Sequence, residues 1–242
     1  MINVVVPMAG EGSRFREKGF STAKPFIEFC GKTMIEHVLD GLKIKGASYT
    51  LVIRENFLFD YKTELNRLAS IYGVNYGVVY NRTNGALCTA LSIYDKIDLS
   101  APTIFADSDN IYKNGVFAKF VEKSLSMNMD ANIMVFTSAS DKFSYARIDE
   151  NGVVFDIAEK KVISNNALTG SYMFSKGETF VKSAIETIIY PKRENEYYMS
   201  LALETLLKRS CRVGAYHIPE CDFACVGTPE QLTSYLSNKE SV

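Results

Sequence analysis

Residues 4–15, VVVPMAGEGSRF, set an apolar run against a proline and then two glycines two positions apart. The run Val4–Val6 is β-branched throughout, as expected of a strand covered on both faces. Gly10 and Gly12 allow backbone angles that other residues avoid, and they let backbone N–H groups approach a ligand closely. Successive N–H groups of such a loop form a nest for an anion, so a phosphate is the natural guest. Two familiar phosphate loops are excluded. A dinucleotide fingerprint requires a third glycine three residues after Gly12, where Phe15 stands. A Walker A loop requires Gly-Lys-Ser/Thr, where this chain has Gly12-Ser13-Arg14. Taken alone, the loop also reads as a plain turn that needs glycines.

The same alternation of strand and helix patterns continues outward from this loop. Strands are expected at 2–6, 49–54, 75–80, 103–106 and 132–137. Helical stripes lie between them: Met34, Ile35, Val38, Leu39 and Leu42 share one face, and further patterns cover 56–71, 86–97 and roughly 114–126. Such alternation predicts an α/β fold with a doubly wound, mostly parallel mixed sheet flanked by helices. The second half changes character. YARIDENGVVFDIAEK reads as two strands around the turn DENG, followed by a strand and helix within LTGSYMFSKGETFVKSAIETII. A helix over 196–209, a strand at 213–218 and a last helix from Pro229 complete the chain. We expect one domain over 1–242, with a nucleotide-binding half at about 1–130 and an acceptor-binding half at about 131–242 that returns to the same sheet.

Composition limits the function classes. The 242 residues carry 27 basic and 28 acidic side chains, a net charge of −1 that argues against a general nucleic-acid binder. No run approaches the ~18 apolar residues of a membrane span, and MINVVVPMAG reads as a first strand rather than a secretion leader. The cytoplasm is therefore the expected location. Five cysteines, an odd number in a chain that is not cysteine-dense, argue against a disulfide framework. Cys221 and Cys225 are four apart but have no histidine or second pair nearby, which argues against zinc. His37 and His217 stand in a helix and a strand with no nucleophile pattern, so both read as structural, and a hydrolase triad has little support.

Three further stretches bear on the loop. Arg14, Arg16, Lys18 and Lys24 fall within eleven residues, and Lys24 precedes Pro25, which favours a fixed, extended backbone. NRTNGALCTAL, 81–91, joins a strand to a helix through the turn pair Asn84-Gly85. TIFADSDN, 103–110, ends a strand in two aspartates; Asp107 and Asp109 share a face if the strand continues and bracket a turn if it does not. Carboxylates there suit Mg²⁺, which uses one or two of them together with substrate phosphates; an Asx-turn or a helix N-cap is the alternative. The three stretches follow strands one, three and four. In a parallel sheet they emerge together at the carboxyl edge, where such folds bind ligands.

PMAGEGSRF…AKPFIEFCGKTMIEHVL resembles the signature of sugar-phosphate nucleotidyltransferases, with Ala23 where the first proline of their Pro-Lys-Pro segment is usual. The resemblance implies that Arg14 and Lys24 grip a triphosphate and stabilise the reacting phosphorus. It implies that Ala9, Gly10, Glu11, Gly12 and Ser13 cradle the nucleotide, with Asn84, Gly85, Ala86 and Thr89 at the base. On the acceptor side DIAEKKVIS is similar to the family's Glu-Lys-Pro segment, LTGSYMF to its Gly-x-Tyr-x-Phe strand and NEYYMSLALETLL to its Glu-x-Tyr helix start. These give Lys160, Gly170, Tyr172 and Glu196, although each also reads as ordinary structure. For Mg²⁺ the resemblance implies Asp109, with Asp107 second. FACVGTPEQL resembles the family's Asp-x-Gly-Thr-Pro ending but has Cys225 at the aspartate, in many members the second metal ligand; Asp222 or Asp107 would have to substitute.

The implied reaction joins an NTP to a small phosphorylated acceptor and releases pyrophosphate. The pattern looks closest to bacterial surface-polysaccharide enzymes, among them cytidylyltransferases that act on phosphoglutamine for capsule phosphoramidate. CTP is accordingly favoured, with a sugar phosphate or phosphoglutamine-like acceptor. Neither a nucleic-acid nor a membrane partner is expected, and a homo-oligomer is allowed. Two alternatives stand: a glycosyltransferase using a nucleotide sugar, for which DSD would be the metal motif, and a nucleotide-sugar-sensing domain without turnover.

Overall fold

A computed structural model describes residues 1–190 and 196–240. The first half runs β1 (Ile2–Pro7), α1 (Ser13–Glu17), the small hairpin β2 (Glu28–Phe29) and β3 (Lys32–Thr33), α2 (Met34–Gly41), β4 (Ala47–Arg54), α3 (Phe57–Asp60), α4 (Lys62–Tyr72), β5 (Asn75–Val79), α5 (Ala86–Leu91), β6 (Thr103–Ala106), β7 (Asn110–Tyr112) and α6 (Val116–Ser126). The second half runs β8 (Ala131–Thr137), β9 (Tyr145–Ile148), β10 (Val153–Ala158), β11 (Asn166–Phe174), α7 (Gly177–Ile189), α8 (Met199–Lys208), β12 (Val213–His217), β13 (Phe223–Cys225) and α9 (Pro229–Glu240).

One mixed sheet crosses both halves in the order β5-β4-β1-β6-β11-β8-β12-β10-β9. Its first four strands are parallel to one another. β11 then inserts antiparallel between β6 and β8, so that Ser171 faces Ala106 on one side and Tyr172 faces Ile133 on the other. The register against β8 shifts between Leu168 and Tyr172, a bulge at the middle of β11. No described helix is long and apolar enough to cross a membrane.

The continuous apolar runs have a simple explanation: the sheet is covered on both faces. Side chains alternate along each strand, and the buried residues divide accordingly. Val4, Val6, Leu51, Ile53, Ile104, Met134 and Phe136 pack with α2, α4, α6 and α9 on one face. Val5, Val52, Phe105, Ile133 and Val135 pack with α5, α7 and α8 on the other. The predicted helix over 56–71 is broken at Tyr61 into α3 and α4. Tyr61 leaves helical geometry to stack on Phe26, ring centroids 4.2 Å apart, and to accept a hydrogen bond from the Ala23 N–H at 2.7 Å. The pattern over 86–97 ends as α-helix at Leu91 and resumes as a short 3₁₀ turn at Tyr94–Lys96.

The start of α2 is fixed by a buried carboxylate. Glu36 Oε2 accepts hydrogen bonds from the Thr33 N–H at 2.8 Å and the Thr33 hydroxyl at 2.7 Å, and pairs with Arg67 of α4 at 2.9 Å. This is the reach-back of a capping box, extended to a neighbouring helix. Hydrogen bonds to a charged group contribute about 1.5–3 kcal/mol, so Glu36→Ala is expected to lower stability by that amount. The measurement is the urea midpoint at unchanged slope; a wild-type midpoint would show that α2 does not depend on this carboxylate.

Candidate active site

The loops after β1, β5 and β6 open at one edge of the sheet and enclose a cavity of about 420 Å³. Gly10, Gly12, Arg14, Lys24, Thr89 and Asp109 are among its lining residues. The Gly12 carbonyl accepts the N–H groups of Phe15 (3.0 Å) and Arg16 (3.2 Å), so α1 begins on the loop itself, and Phe15 anchors it in the core. Arg14, between these fixed points, is turned to the cavity and has no ion pair among the described residues. Lys24 opens a 3₁₀ turn whose next residues, Pro25 and Phe26, are buried. Its Nζ forms an ion pair with Asp109 Oδ2, and the two side chains are 18% and 21% exposed, which places the pair on the cavity wall rather than in the core.

The 84–87 loop is clasped from the second half of the chain. The Tyr197 N–H donates to the Asn84 carbonyl at 2.9 Å, and the Leu87 N–H donates to the Tyr197 carbonyl at 3.0 Å. Gly85 has φ +105°, and a Cβ there would stand 2.7 Å from the Tyr197 nitrogen, so the clasp needs a glycine. It also brings Glu196 into the cavity wall, together with Ala86 and Thr89. The Thr89 hydroxyl lies 2.5 Å from that of Thr83 and donates to the Gly85 carbonyl at 3.1 Å.

β6 ends at Ala106, so the two aspartates bracket a turn instead of sharing a strand face. Asp107 turns toward β11: its N–H donates to the Gly170 carbonyl at 3.0 Å, and its Oδ2 lies 3.4 Å from the Asn110 amide nitrogen. Gly170, at φ +81° in the bulge, makes this contact possible, since a Cβ would overlap the Asp107 carboxyl and come within 2.5 Å of the Asn110 amide. Burial, and then the neighbouring Asp109 charge, hold the Asp107 carboxyl well above the usual carboxylate range, while Lys24 opposes the shift. Asp109 faces the cavity. Its carbonyl accepts the Val226 N–H at 2.9 Å, and β13 pairs antiparallel with β7 so that Cys225 lies opposite Asn110. Cys225 is thus set beside Asp109. Burial, reinforced by the Asp109 charge, pushes its thiol up to about 12, and the Sγ–H points to Gln231 Oε1 at 3.5 Å.

The remaining predicted residues are placed less uniformly. Asp222 is not near Asp109: it sits at the other end of β13, where Asn114 donates to its carboxylate and the Lys113 N–H to its carbonyl at 2.9 Å. That tie fixes the β7–α6 connection and corrects the expectation of a metal ligand there. Tyr172 pairs with Phe105 of β6, is 6% exposed and is not among the residues lining the cavity; burial, and then the Asp107 and Glu159 charges, push its hydroxyl up. Gly170 shapes the Asp107 turn from β11 rather than lining the cavity. Lys160 reaches α8, with Nζ 2.6 Å from the Tyr198 hydroxyl. Ala9, Glu11 and Ser13 line the cavity, while Asn84 contributes through its backbone. Sequence reasoning missed Arg82, Thr83, Ser108 and Gly227, all cavity-lining, and Glu159, which accepts from the hydroxyls of Ser144 and of Ser200 (2.5 Å). The adjacency of Glu159 to Lys160 was the available signal for the last.

The donor set decides which metal could be held. No group of three or more His, Cys, Asp or Glu side chains suited to a metal occurs among the described residues. A protonated thiol at Cys225 is a poor partner for a hard cation. Asp109, an oxygen donor on the cavity wall, fits Mg²⁺, an ion that keeps waters and takes its other oxygens from substrate phosphates.

A glycine loop, two cations and a carboxylate thus meet at the carboxyl edge of an α/β sheet, an arrangement chemically suited to phosphates. A family model described as nucleotidyl transferase matches residues 4–237, and the chain belongs to that family. Among curated proteins it is 27% identical over 227 residues to the bifunctional protein GlmU of Lactobacillus johnsonii, covering 90% of this chain and 47% of that protein. The chain spans about half the length of the curated relatives it matches. Among solved structures, a nucleoside-diphosphate-sugar pyrophosphorylase from Vibrio cholerae RC9 superposes with TM-score 0.84 at 22% identity, covering 97% of this chain and 99% of that one. The inositol-1-phosphate CTP transferase from T. maritima superposes with TM-score 0.76 at 17% identity, covering 97% and 92%. These superpositions show the fold.

Thiol reactivity follows thiolate fraction and access. At pH 8 iodoacetamide is expected to alkylate the exposed Cys30 and Cys221 and to leave Cys225 unmodified, as read by peptide mass spectrometry. Rapid labelling of Cys225 in the folded protein would contradict its placement.

Proposed function

We propose that the protein is a nucleotidyltransferase that transfers a nucleotidyl group from an NTP to a small phosphorylated acceptor and releases pyrophosphate. The observation that carries this reading is the convergence of Arg14, Lys24 and Asp109 on one cavity with the glycine loop and the 83–89 loop. A glycosyltransferase would leave Arg14, Lys24 and the glycine loop without a task. CTP is the favoured nucleotide, with a sugar phosphate or a phosphoglutamine-like acceptor, and the product would serve surface or capsule polysaccharide synthesis. The likeness to a CTP transferase fold is compatible with this choice.

In this mechanism the glycine loop and Arg14 bind the triphosphate, and the 83–89 loop with Glu196 bounds the base. An acceptor phosphate oxygen attacks the α-phosphorus. The new P–O bond forms as the bond to the β-phosphate oxygen breaks, and pyrophosphate leaves with its electron pair. Lys24 and Arg14 stabilise the charge that accumulates on the leaving group, so catalysis is mainly positioning and electrostatics. Mg²⁺, held by Asp109 with Asp107 behind it, would supply further charge neutralisation at the phosphates. Lys160 would meet the acceptor phosphate from the α8 side.

Pyrophosphate release with each of four NTPs against a panel of phosphorylated acceptors tests the reading. CTP with one acceptor is expected to give turnover; release with none would sink the reaction class, and release with UTP alone would replace the nucleotide. Lys24→Ala is expected to cut kcat by about 10²–10³-fold, as for loss of a charge-stabilising donor, with the thermal midpoint little changed. Asp109→Ala is expected to abolish Mg²⁺-dependent turnover; a normal rate would move the metal elsewhere.

A further inference from the structure

The glycine loop has a second side. Behind it, between Gly12 and the end of β4, lies a separate cavity of about 240 Å³, smaller than the active-site cavity. The two share Glu11, Gly12 and Lys24 as a common wall. The far wall is Arg54, the last residue of β4, whose guanidinium lies over the Phe57 ring with its carbon 4.6 Å from the centroid. Arg54 Nε is buried and has no hydrogen-bond partner, and Arg54 has no ion pair among the described residues. An unpartnered, partly buried arginine is costly unless something completes it.

The other cations of this cavity are already paired, and of its two carboxylates Asp60 has only a neutral partner. Asp60 accepts from the Asn56 amide at 2.8 Å, and Glu11 lies 3.5 Å from Arg16 and 3.6 Å from Arg82. Lys24 is paired with Asp109 across the wall. Arg54 is therefore the cation left without a countercharge. The guanidinium carbon lies over the Phe57 ring while Arg54 lines the cavity, and a planar guanidinium there suits recognition of a phosphate. The hydroxyls of Ser21 and Thr22 stand exposed at the same cavity and can donate to such an anion.

We infer that the cavity behind the glycine loop is a second anion site, built on Arg54, that takes inorganic pyrophosphate. The inference rests on the proposed reaction for the source of that ligand: pyrophosphate formed on one side of the loop has an adjoining pocket with an unpaired arginine on the other, and Lys24 is common to both. Arg54 then acts on product departure and not on the bond-making step.

Isothermal titration of sodium pyrophosphate into the wild-type chain, without nucleotide or metal, tests the site directly. Binding is expected, and Arg54→Met should weaken it about tenfold to a hundredfold, as for loss of a charged hydrogen-bond partner. Arg54→Lys should recover part of the loss, and CMP should bind all three proteins alike. Thermal midpoints of the variants guard against unfolding. Unchanged pyrophosphate affinity in folded Arg54→Met, or no binding by wild type, overturns the proposal. Asp109→Asn separates the two readings. If no NTP yields pyrophosphate in the turnover screen but Arg54-dependent binding persists in wild type and Asp109→Asn, the reaction is wrong and the anion site stands.

Discussion

The ion pair between Lys24 and Asp109 is the interaction on which the site depends. It joins two segments 85 positions apart in sequence, the turn that follows the glycine loop and the turn that ends β6. Without a countercharge, a lysine and an aspartate at a half-closed wall would each prefer solvent. Paired, they hold the two turns at one separation and so set the width of the cavity between them. The pair also neutralises both partners in the ligand-free chain. A polyphosphate would offer Lys24 a stronger partner and free Asp109 for a cation, so the arriving ligand replaces one set of charges with another and strands no charge.

What positions that pair is a mixed sheet whose halves are stitched by one antiparallel strand. β11 borders β6 along one side and β8 along the other, and its bulge falls where Asp107 must be received. A straight strand with a side chain at position 170 would drive the β6 turn outward and Asp109 with it. The bulge thus transmits the geometry of the second half to the carboxylates of the first.

Much of this was legible in the sequence because it obeys short-range rules. The five strands predicted in the first 137 residues all form, and the two-sided burial of Val4 to Val6 is what their unbroken β-branched run implied. The candidate loops after β1, β5 and β6 meet at one edge because parallel order forces them to. The placements that were not legible are set by long-range contacts with no local signature. Tyr61 breaks a good helical pattern to reach Phe26, more than thirty residues away. Asp222 and Cys225 sit three residues apart, yet pairing of β13 with β7 sends only one of them to Asp109. Arg54 lies in an expected strand, 49–54, and only the fold shows its Nε without a partner. Tyr172 and Gly170, carried over by resemblance, stand in β11, one buried beside Phe105 and the other in the bulge.

The clasp between Tyr197 and the 84–87 loop has a consequence for how the molecule can be divided. Two backbone hydrogen bonds make a residue of the second half part of the structure that holds the 84–87 loop against the cavity. The parallel strands of the first half look like a detachable module, but a fragment ending near residue 130 would keep the loop and lose its brace. The shape of this cavity is thus a property of the closed chain, and a graft or truncation that respects only the strand order would open the wall it was meant to preserve.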